Sequence, residues 1–299
     1  MLVNCIIAPF RAPESARQYK MVWTPEGSPL LAAGIRLKDK LQQKLGAEFI
    51  VELAMRYRQP AVGDMLERMS GKVSRIIVVP LYPQFASSTT GSTFDKVMAE
   101  LGKKEVVPDV KFTGPFFNHP EFIKAFAAIA QRKNRLQDYD HYLFSYHGLP
   151  ERHILKASDE RGMNCTPAAN SGKDCCSVLN EKNFFCYRAS CYHTTRLIAG
   201  ALNLSEGSYS VSFQSRLGRT PWIKPYTDEV IAEKAKAGVK KMLCFSPAFV
   251  ADCLETLYEI KVLYNDLFRE HGGEELHLAP SLNDEDEWVE ALTKIVVPT

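Results

Sequence analysis

The sequence predicts an α/β fold made of two similar Rossmann-like domains, each a doubly wound parallel sheet, facing each other across a cleft. Short apolar strands alternate with helices of ten or more residues, a pattern typical of βαβ units and parallel sheets. The order of strand, arginine, proline, helix, strand, Pro-X-Phe and helix occurs once in each half of the chain. The loops that lead into the second strand of each half are also similar: Gly71-Lys-Val-Ser-Arg-Ile-Ile in the first half corresponds to Gly238-Val-Lys-Lys-Met-Leu in the second. The chain therefore repeats one plan twice.

In the first half, we expect a strand from Glu48 to Ala54, followed by Arg56, Pro60 and a helix that ends at Met69. A second strand, Arg75 to Val79, leads through Pro83-Gln84-Phe85 into another helix.

In the second half, a strand from Ser208 to Phe213 is followed by Arg216, two prolines and a helix that ends at Lys236. The strand from Lys241 to Phe245 then leads through Pro247-Ala248-Phe249 into an acidic helix. This half also opens with an extra strand, His141 to Tyr146, which ends at His147-Gly148. The first half has no clear counterpart, because only Met1 to Ile7 could serve and that segment is short. We place the two domains at residues 1–134 and 135–299. The last helix is a candidate to pack back on the first domain. We expect the first domain to lack the first strand of the repeat.

The most informative segment is Pro247 to Ile260. Read as a helix, it stacks the carboxylates of Asp252, Glu255 and Glu259 along one face, with no interleaved lysine or arginine. A solvated acidic face is the ordinary interpretation of such a pattern. Here, however, the acids follow directly on a buried strand, and ligands bind at the carboxyl ends of strands in open α/β sheets.

Bulk properties exclude several classes. A chain of 299 residues is long enough for two cores, and a net charge of +2 predicts neither nucleic-acid binding nor strong attraction to membranes. The chain contains no apolar stretch of membrane-spanning length, and its first residues lack the features of a signal peptide. We expect a cytoplasmic protein.

Cysteines cluster in a loop over residues 151–193 that is rich in Gly, Asn, Ser and Lys. Five of the eight cysteines lie there: Cys165, Cys175, Cys176, Cys186 and Cys191. Clustered thiols in a cytoplasmic chain favour metal binding over disulfides. Four thiolates suit a structural zinc or a [2Fe-2S] cluster, and the absence of a C-x2-C pair favours the cluster. Free thiols in a mobile loop are the alternative. One cysteine is spare, most simply Cys175 or Cys176, and Cys191 is the less certain ligand.

Several collinear motifs, taken together, resemble the ferrochelatase family. They are Trp23 to Leu30, Leu81 to Phe85, Ser87 to Gly91, Ser145 to Pro150, Phe213 to Trp222, Pro225 to Asp228 and the acidic run. The resemblance implies insertion of ferrous iron into protoporphyrin IX to make protohaem, in a porphyrin cleft between two Rossmann-like halves. It also implies a [2Fe-2S] cluster held by an internal segment, as in a smaller bacterial group, and contact with a membrane surface.

The resemblance further implies a role for individual residues. His147 and Glu255 would form the central catalytic pair and meet the substrate iron, with Asp252 and Glu259 continuing a path for protons or iron. Arg11, Tyr19 and Ser28 match positions near the porphyrin propionates. Arg56, Tyr57 and Tyr82 match the iron side or the pocket wall, and Trp222 and Phe249 match aromatic residues that line the macrocycle.

The chain departs from the family pattern in three places. The strand and glycine-rich loop that usually precede the segment Ala8-Pro-Phe-Arg11 do not appear in this sequence, so either the sequence starts late or the first domain lacks an inner strand and one lip of the pocket. Cys253 stands where some members have a second histidine, and Leu263 stands where some have a further glutamate. Two alternatives stay open. One is a chelatase for coproporphyrin or another tetrapyrrole, and the other is an iron-sulfur sensor on a chelatase scaffold.

Overall fold

The computed structural model describes residues 8–163, 165 and 175–297, with side chains from residue 12 onward. The helices are α1 (Ala8–Val22), α2 (Pro29–Leu45), α3 (Val62–Met69), α4 (Ser92–Leu101), α5 (Pro120–Lys133), α6 (Glu151–Asp159), α7 (Tyr187–Ala201), α8 (Thr227–Lys236), α9 (Asn265–Glu270) and α10 (Asp286–Val296). The strands are β1 (Arg75–Val78), β2 (Asp109–Phe112), β3 (His141–His147), β4 (Tyr209–Gln214), β5 (Lys241–Phe245) and β6 (Glu275–Leu278). Two π-helical segments, Ser87–Gly91 and Glu255–Tyr264, continue directly into α4 and α9.

All strands of the described residues pair in parallel, in two sheets. β1 pairs with β2, and the second sheet has the order β4-β3-β5-β6. In the second sheet, His147 at the end of β3 lies opposite Gln214 at the end of β4. The carboxyl ends of these strands therefore meet at one edge, which is where open α/β sheets bind ligands.

The main core joins the two halves of the chain. Helix α10 packs against α5 and α2 from the first half. The fully buried Trp288 of α10 contacts Phe116 and Phe122, with ring centroids 5.8 Å and 6.0 Å apart. Burial of a large aromatic side chain is worth several kcal/mol, on the order of 3 to 5 by the usual cost of its truncation. The last helix thus fixes the second half against the first.

The strands predicted for the second half are confirmed, each to within one residue at either end. The first half differs in its segment Glu48 to Ala54, which forms no strand. The side-chain amide of Gln42 instead forms hydrogen bonds with the backbone of this segment. It accepts from Val51 N at 2.9 Å and donates to Phe49 O at 2.9 Å. The strand predicted here is therefore wrong, because a side chain from α2 takes the place of a neighbouring strand.

Two short strands, β2 and β6, were not expected from the sequence, since each has only four residues and a charged or polar neighbour at alternate positions. Residues Met1 to Ile7, the candidate first strand, lie outside the described residues. Within the described ranges, no helix is both long enough and apolar enough to cross a bilayer.

Candidate active site

A cavity of about 1100 Å³ is lined by residues from both halves of the chain. Its wall includes His147 at the end of β3, Phe249 and Glu255 beyond β5, and Arg56 and Tyr82 from the first half. Most other lining side chains are apolar, and the space also extends along β1 and residues 47–55. Ligand pockets are commonly about 300 to 1000 Å³, so the cavity is large enough for a bulky, flat molecule.

The imidazole of His147 is held in one tautomer. Its Nδ1 lies 2.7 Å from the carbonyl oxygen of Gly148, and a carbonyl can only accept, so Nδ1 carries the proton. In the neutral ring Nε2 then bears the lone pair that can accept a proton. The ring centroids of Trp222 and Phe249 each lie 6.3 Å from that of His147. The site thus contains a base flanked by aromatic rings.

Gly148 is required by close packing rather than by backbone conformation. A Cβ at this position would lie 2.9 Å from the carbonyl oxygen of Gln214 and 3.2 Å from Cε3 of Trp222. Its backbone N–H donates to the same carbonyl at 2.8 Å. The turn after His147 is therefore pressed against the end of β4.

Glu255 is the first residue of the second π-helical segment. The neighbouring Cys253 is buried, and burial together with the charge of Glu255 raises the pKa of its thiol well above the usual range. Burial, followed by the charge of Glu255, also raises the pKa of Tyr19 on α1. Both neighbours are therefore neutral near pH 7.

Asp252 does not lie on a helix with Glu255, so the prediction of three carboxylates on one helical face is wrong for this residue. The helix begins only after Cys253, and Asp252 precedes it. Its carboxylate accepts from Thr256 Oγ1 at 3.1 Å and from Asn283 Nδ2 at 2.8 Å. These bonds tie Asp252 to the start of the helix and to the loop at Asn283, and Asp252 is not part of the described cavity wall.

Glu259 is surrounded by hydrogen-bond donors. Its two oxygens accept from Gln214 Nε2 at 3.2 Å, from Ser215 N at 3.0 Å, from Ser215 Oγ at 2.5 Å and from the hydroxyl of Tyr264 at 2.8 Å. Ser215 has a φ of 65°, an uncommon value for a residue other than glycine. Burial and the charge of Glu259 raise the pKa of Tyr264, which therefore remains a donor. Glu259 is likewise not part of the described cavity wall.

The first half supplies the facing wall. Arg56 Nε donates to Ser92 O at 3.0 Å and to Ser92 Oγ at 2.8 Å, and its guanidinium lies 4.7 Å from the ring centroid of Tyr57. Tyr57 itself is 80% exposed and lies outside the described wall. Burial, and then the electrostatic effect of Tyr57, raise the pKa of Tyr82, so the hydroxyl of Tyr82 stays protonated.

The remaining predicted binding residues lie at the periphery. Ser28 precedes Pro29 at the start of α2, as expected, but its side chain makes no capping hydrogen bond. Trp222 donates its indole N–H to Leu217 O at 2.9 Å and is not part of the described cavity wall. Arg11 belongs to α1, and its side chain lies outside the described residues.

The cysteines form hydrogen-bonded pairs, Cys165 with Cys175 and Cys176 with Cys186. Cys186 caps the N-terminus of α7, and hydrogen bonds from the Cys176 thiol and two backbone N–H groups lower its pKa to about 7. Arg188 Nη1 donates to Cys176 Sγ at 3.4 Å. Cys191 is fully buried inside α7 and interacts with Tyr187.

No three His, Cys, Asp or Glu side chains of the described ranges are arranged to hold a metal ion. The chemistry of the thiols fits a metal, and Cys191, whose hydrogen-bond partner is Tyr187, belongs to neither pair. Residues 166–174, which connect Cys165 to Cys175, lie outside the description.

One residue of the site was missed from the sequence. Gln214 contacts both the turn after His147 and the backbone of Glu255. The signal that could have found it is its place at the end of a strand next to β3, since such positions face the ligand edge.

Comparisons with known proteins agree on one family. A family model described as Ferrochelatase matches residues 1–299. Ferrochelatase of Legionella pneumophila (strain Philadelphia 1) is 43% identical over 298 residues, which cover 99% of this chain and 86% of that protein. Ferrochelatase of Coxiella burnetii (strain Dugway) is 40% identical over 296 residues, covering 99% and 81%.

Solved structures support the architecture. SirB from Bacillus subtilis with Fe3+ has a TM-score of 0.52 at 13% identity, covering 91% of this chain and 93% of that one. CbiX, described as the terminal enzyme for biosynthesis of sirohaem in denitrifying bacteria, has a TM-score of 0.51 at 11% identity, with 89% of each chain covered. At these identities the likeness concerns the fold alone, which is that of chelatases. The extent and identity of the sequence matches settle the family: the chain belongs to the ferrochelatases.

Proposed function

We propose that this chain inserts ferrous iron into protoporphyrin IX, producing protohaem and releasing the two pyrrole protons. The supporting observation is that an imidazole with a free Nε2 and a carboxylate, His147 and Glu255, line one large apolar cavity. Imidazole nitrogen and carboxylate oxygen are also ligands suited to a divalent iron ion.

The reaction requires two N–H protons to leave as Fe²⁺ enters, so charge balances without a redox step. His147 accepts a pyrrole proton at Nε2, because its Nδ1 is already committed as a donor to Gly148. Glu255 takes up the second proton or meets the incoming metal, since its neighbours Cys253 and Tyr19 remain neutral and do not compete for the cation. The apolar wall excludes water from the ion as it is transferred.

The macrocycle packs against Phe249 of the cavity wall, and the ring of Trp222 borders His147 at the edge of the site. Arg56 and Tyr82 form the facing wall, with Tyr57 at its exposed edge. We assign the propionates to the side of Arg11, Tyr19 and Ser28, because carboxylates bind favourably at a helix N-terminus such as that of α2.

The test is an anaerobic insertion assay with Fe²⁺ and protoporphyrin IX, followed by haem absorption, with coproporphyrin as a parallel substrate. We expect His147→Ala and Glu255→Gln each to remove most turnover while circular dichroism and the melting temperature stay near wild type. Glu270→Gln, an exposed acid on α9, is the matched control and should retain full activity. Near-wild-type turnover in either site variant would refute the assigned role, and faster turnover of coproporphyrin would change the substrate.

We also propose that the cysteine segment holds a [2Fe-2S] cluster through Cys165, Cys175, Cys176 and Cys186. Support comes from their pairwise contacts, from the thiolate-favouring position of Cys186 at the start of α7, and from Arg188 beside Cys176. When bound, such a cluster supplies one-electron chemistry or rigidity, and insertion of Fe²⁺ needs no electron from it.

Visible absorption and iron content of the protein purified without oxygen test the ligand set. Cys176→Ser should lose the cluster absorption, whereas Cys191→Ser should keep it, because Cys191 faces Tyr187 inside a helix. Loss of the absorption in both variants, or in neither, contradicts this assignment.

A further inference from the structure

Gln214 connects the two loops that carry the site. Its backbone carbonyl accepts from Gly148 N at 2.8 Å, directly after His147. Its side-chain Nε2 donates to the carbonyl of Glu255 at 3.0 Å and to Glu259 Oε2 at 3.2 Å. The residue is 1% exposed, so water offers little competition for these bonds. A single residue therefore bonds to the backbone directly after His147 and to the backbone of Glu255.

A chain of hydroxyl groups contacts the oxygen of the Gln214 amide. Ser145 Oγ donates to Gln214 Oε1 at 2.7 Å and lies 3.0 Å from Thr227 Oγ1, which in turn is 2.9 Å from Ser212 Oγ. All three hydroxyl residues are buried. The carbonyl of Glu255 can only accept, so the amide nitrogen must face it, and the amide oxygen accepts a hydrogen bond from Ser145. A rotated amide would set its oxygen against the carbonyl of Glu255 and Glu259, leaving buried acceptors opposed to each other.

Glu259 holds the Gln214 amide in place. Its contacts with Ser215 and Tyr264 leave its carboxylate little freedom to move. Since Gln214 Nε2 donates to both Glu259 and the backbone of Glu255, the stationary carboxylate aims the amide at the start of the π-helical segment. Charge-assisted hydrogen bonds of this kind are roughly twice as strong as neutral ones.

We propose that Gln214 is a positioning residue that sets the separation of His147 and Glu255, with Glu259 as its anchor rather than a stop on a proton or iron path. The inference rests on the proposed function, because it assigns the two positioned groups their chemistry. Gln214 touches no reacting atom and acts through the two residues it holds.

Gln214→Glu tests the proposal, because it keeps the size of the side chain and the acceptor for Ser145 but replaces the donor with an oxygen. That oxygen would face the carbonyl of Glu255 and the carboxylate of Glu259. We expect kcat for iron insertion to fall at least about tenfold, while the dissociation constant for protoporphyrin, measured by fluorescence quenching, changes by less than about threefold. Gln214→Met, which lacks both the donor and the added charge, should show the same split if the two carboxylates prevent folding.

Ser210→Ala is the matched control. Ser210 lies on the same strand as Gln214, four residues away, and its hydroxyl is 2.9 Å from His141 Nε2. Its loss should lower the melting temperature without changing kcat. Wild-type kcat in Gln214→Met, or a fall in kcat that merely follows the loss of porphyrin binding or of folded protein, would overturn the proposal. A wild-type protein that inserts no iron would instead refute the proposed function, since that result does not involve Gln214.

Discussion

The substitution Gly148→Ala isolates the effect of moving His147 without changing its chemistry. A methyl group at residue 148 would lie 2.9 Å from Gln214 O and 3.2 Å from Trp222 Cε3, whereas ordinary contacts begin at 3.4 Å. The turn must therefore withdraw by roughly half an ångström, and the 2.8 Å hydrogen bond from Gly148 N is strained or lost. The Gly148 carbonyl that holds His147 Nδ1 moves with it.

Two costs follow from this displacement. Loss of one buried hydrogen bond costs about 1 kcal/mol, and overpacking costs about 1 to 3 kcal/mol, so the free energy of unfolding should fall by about 2 to 4 kcal/mol. Misplacement of a catalytic group by up to 1 Å lowers rates by on the order of 100-fold, so a shift of half that size should lower kcat about tenfold or more.

Urea unfolding and the iron-insertion assay measure the two effects separately. Gly114→Ala is the matched control, because a Cβ at that position would meet no atom within 4 Å. It should leave kcat unchanged and alter the free energy of unfolding by less than about 1 kcal/mol. Equal kcat in Gly148→Ala and wild type would show that the geometry of His147 tolerates the shift, and the reasoning would be refuted.

Three further predictions concern the fold. Burial, and then the charge of Lys234, lower the pKa of His141 to about 4, so the unfolded chain binds an extra proton below about pH 6.5. The free energy of unfolding should therefore fall by up to about 3 kcal/mol as the pH drops from 6.5 to 4. Urea titrations of His141→Gln should show a flatter pH dependence. Trp288→Ala should cost about 4 kcal/mol in urea unfolding through the cavity it leaves in the core, and a loss below 1 kcal/mol would mean that the core collapses around it. Gly200→Ala, in the last turn of α7 with no neighbour within 4 Å, should raise the melting temperature, since alanine is a better helix former by about 1 kcal/mol; a lower temperature would contradict this.

Three strands of the second half, β3, β4 and β5, could be predicted because each is a short run rich in apolar residues, whereas β6 could not. β3 and β5 show this most clearly, since nearly every residue in them is buried. Residues 48–54 have a similar pattern, yet they form no strand, because pairing requires a partner backbone that a local pattern cannot reveal. A local pattern thus predicted a strand correctly only where a neighbouring strand was available for pairing.

The candidate site shows the same limit. His147, Glu255 and Phe249 follow strand ends, and their convergence on one cavity could be expected from the topology. Asp252 and Glu259 could not be placed, because a helical pattern assumes where the helix begins and how many residues make a turn. The structure begins the helix after Asp252 and then uses a π-helical geometry, so only Glu255 of the three acids reaches the wall.

The two π-helical segments stand at the same junction of the repeat, one after β1 and the other after β5, and each runs into an α-helix. Each also gives one side chain to the cavity wall, Thr89 in the first half and Glu255 in the second. A π turn is equivalent to an α turn with one inserted residue. If gene duplication of a single ancestral unit produced both halves, that insertion was already present in the ancestor. The two halves then differ at this junction in the side chain that reaches the cavity, a hydroxyl in the first half and a carboxyl group in the second.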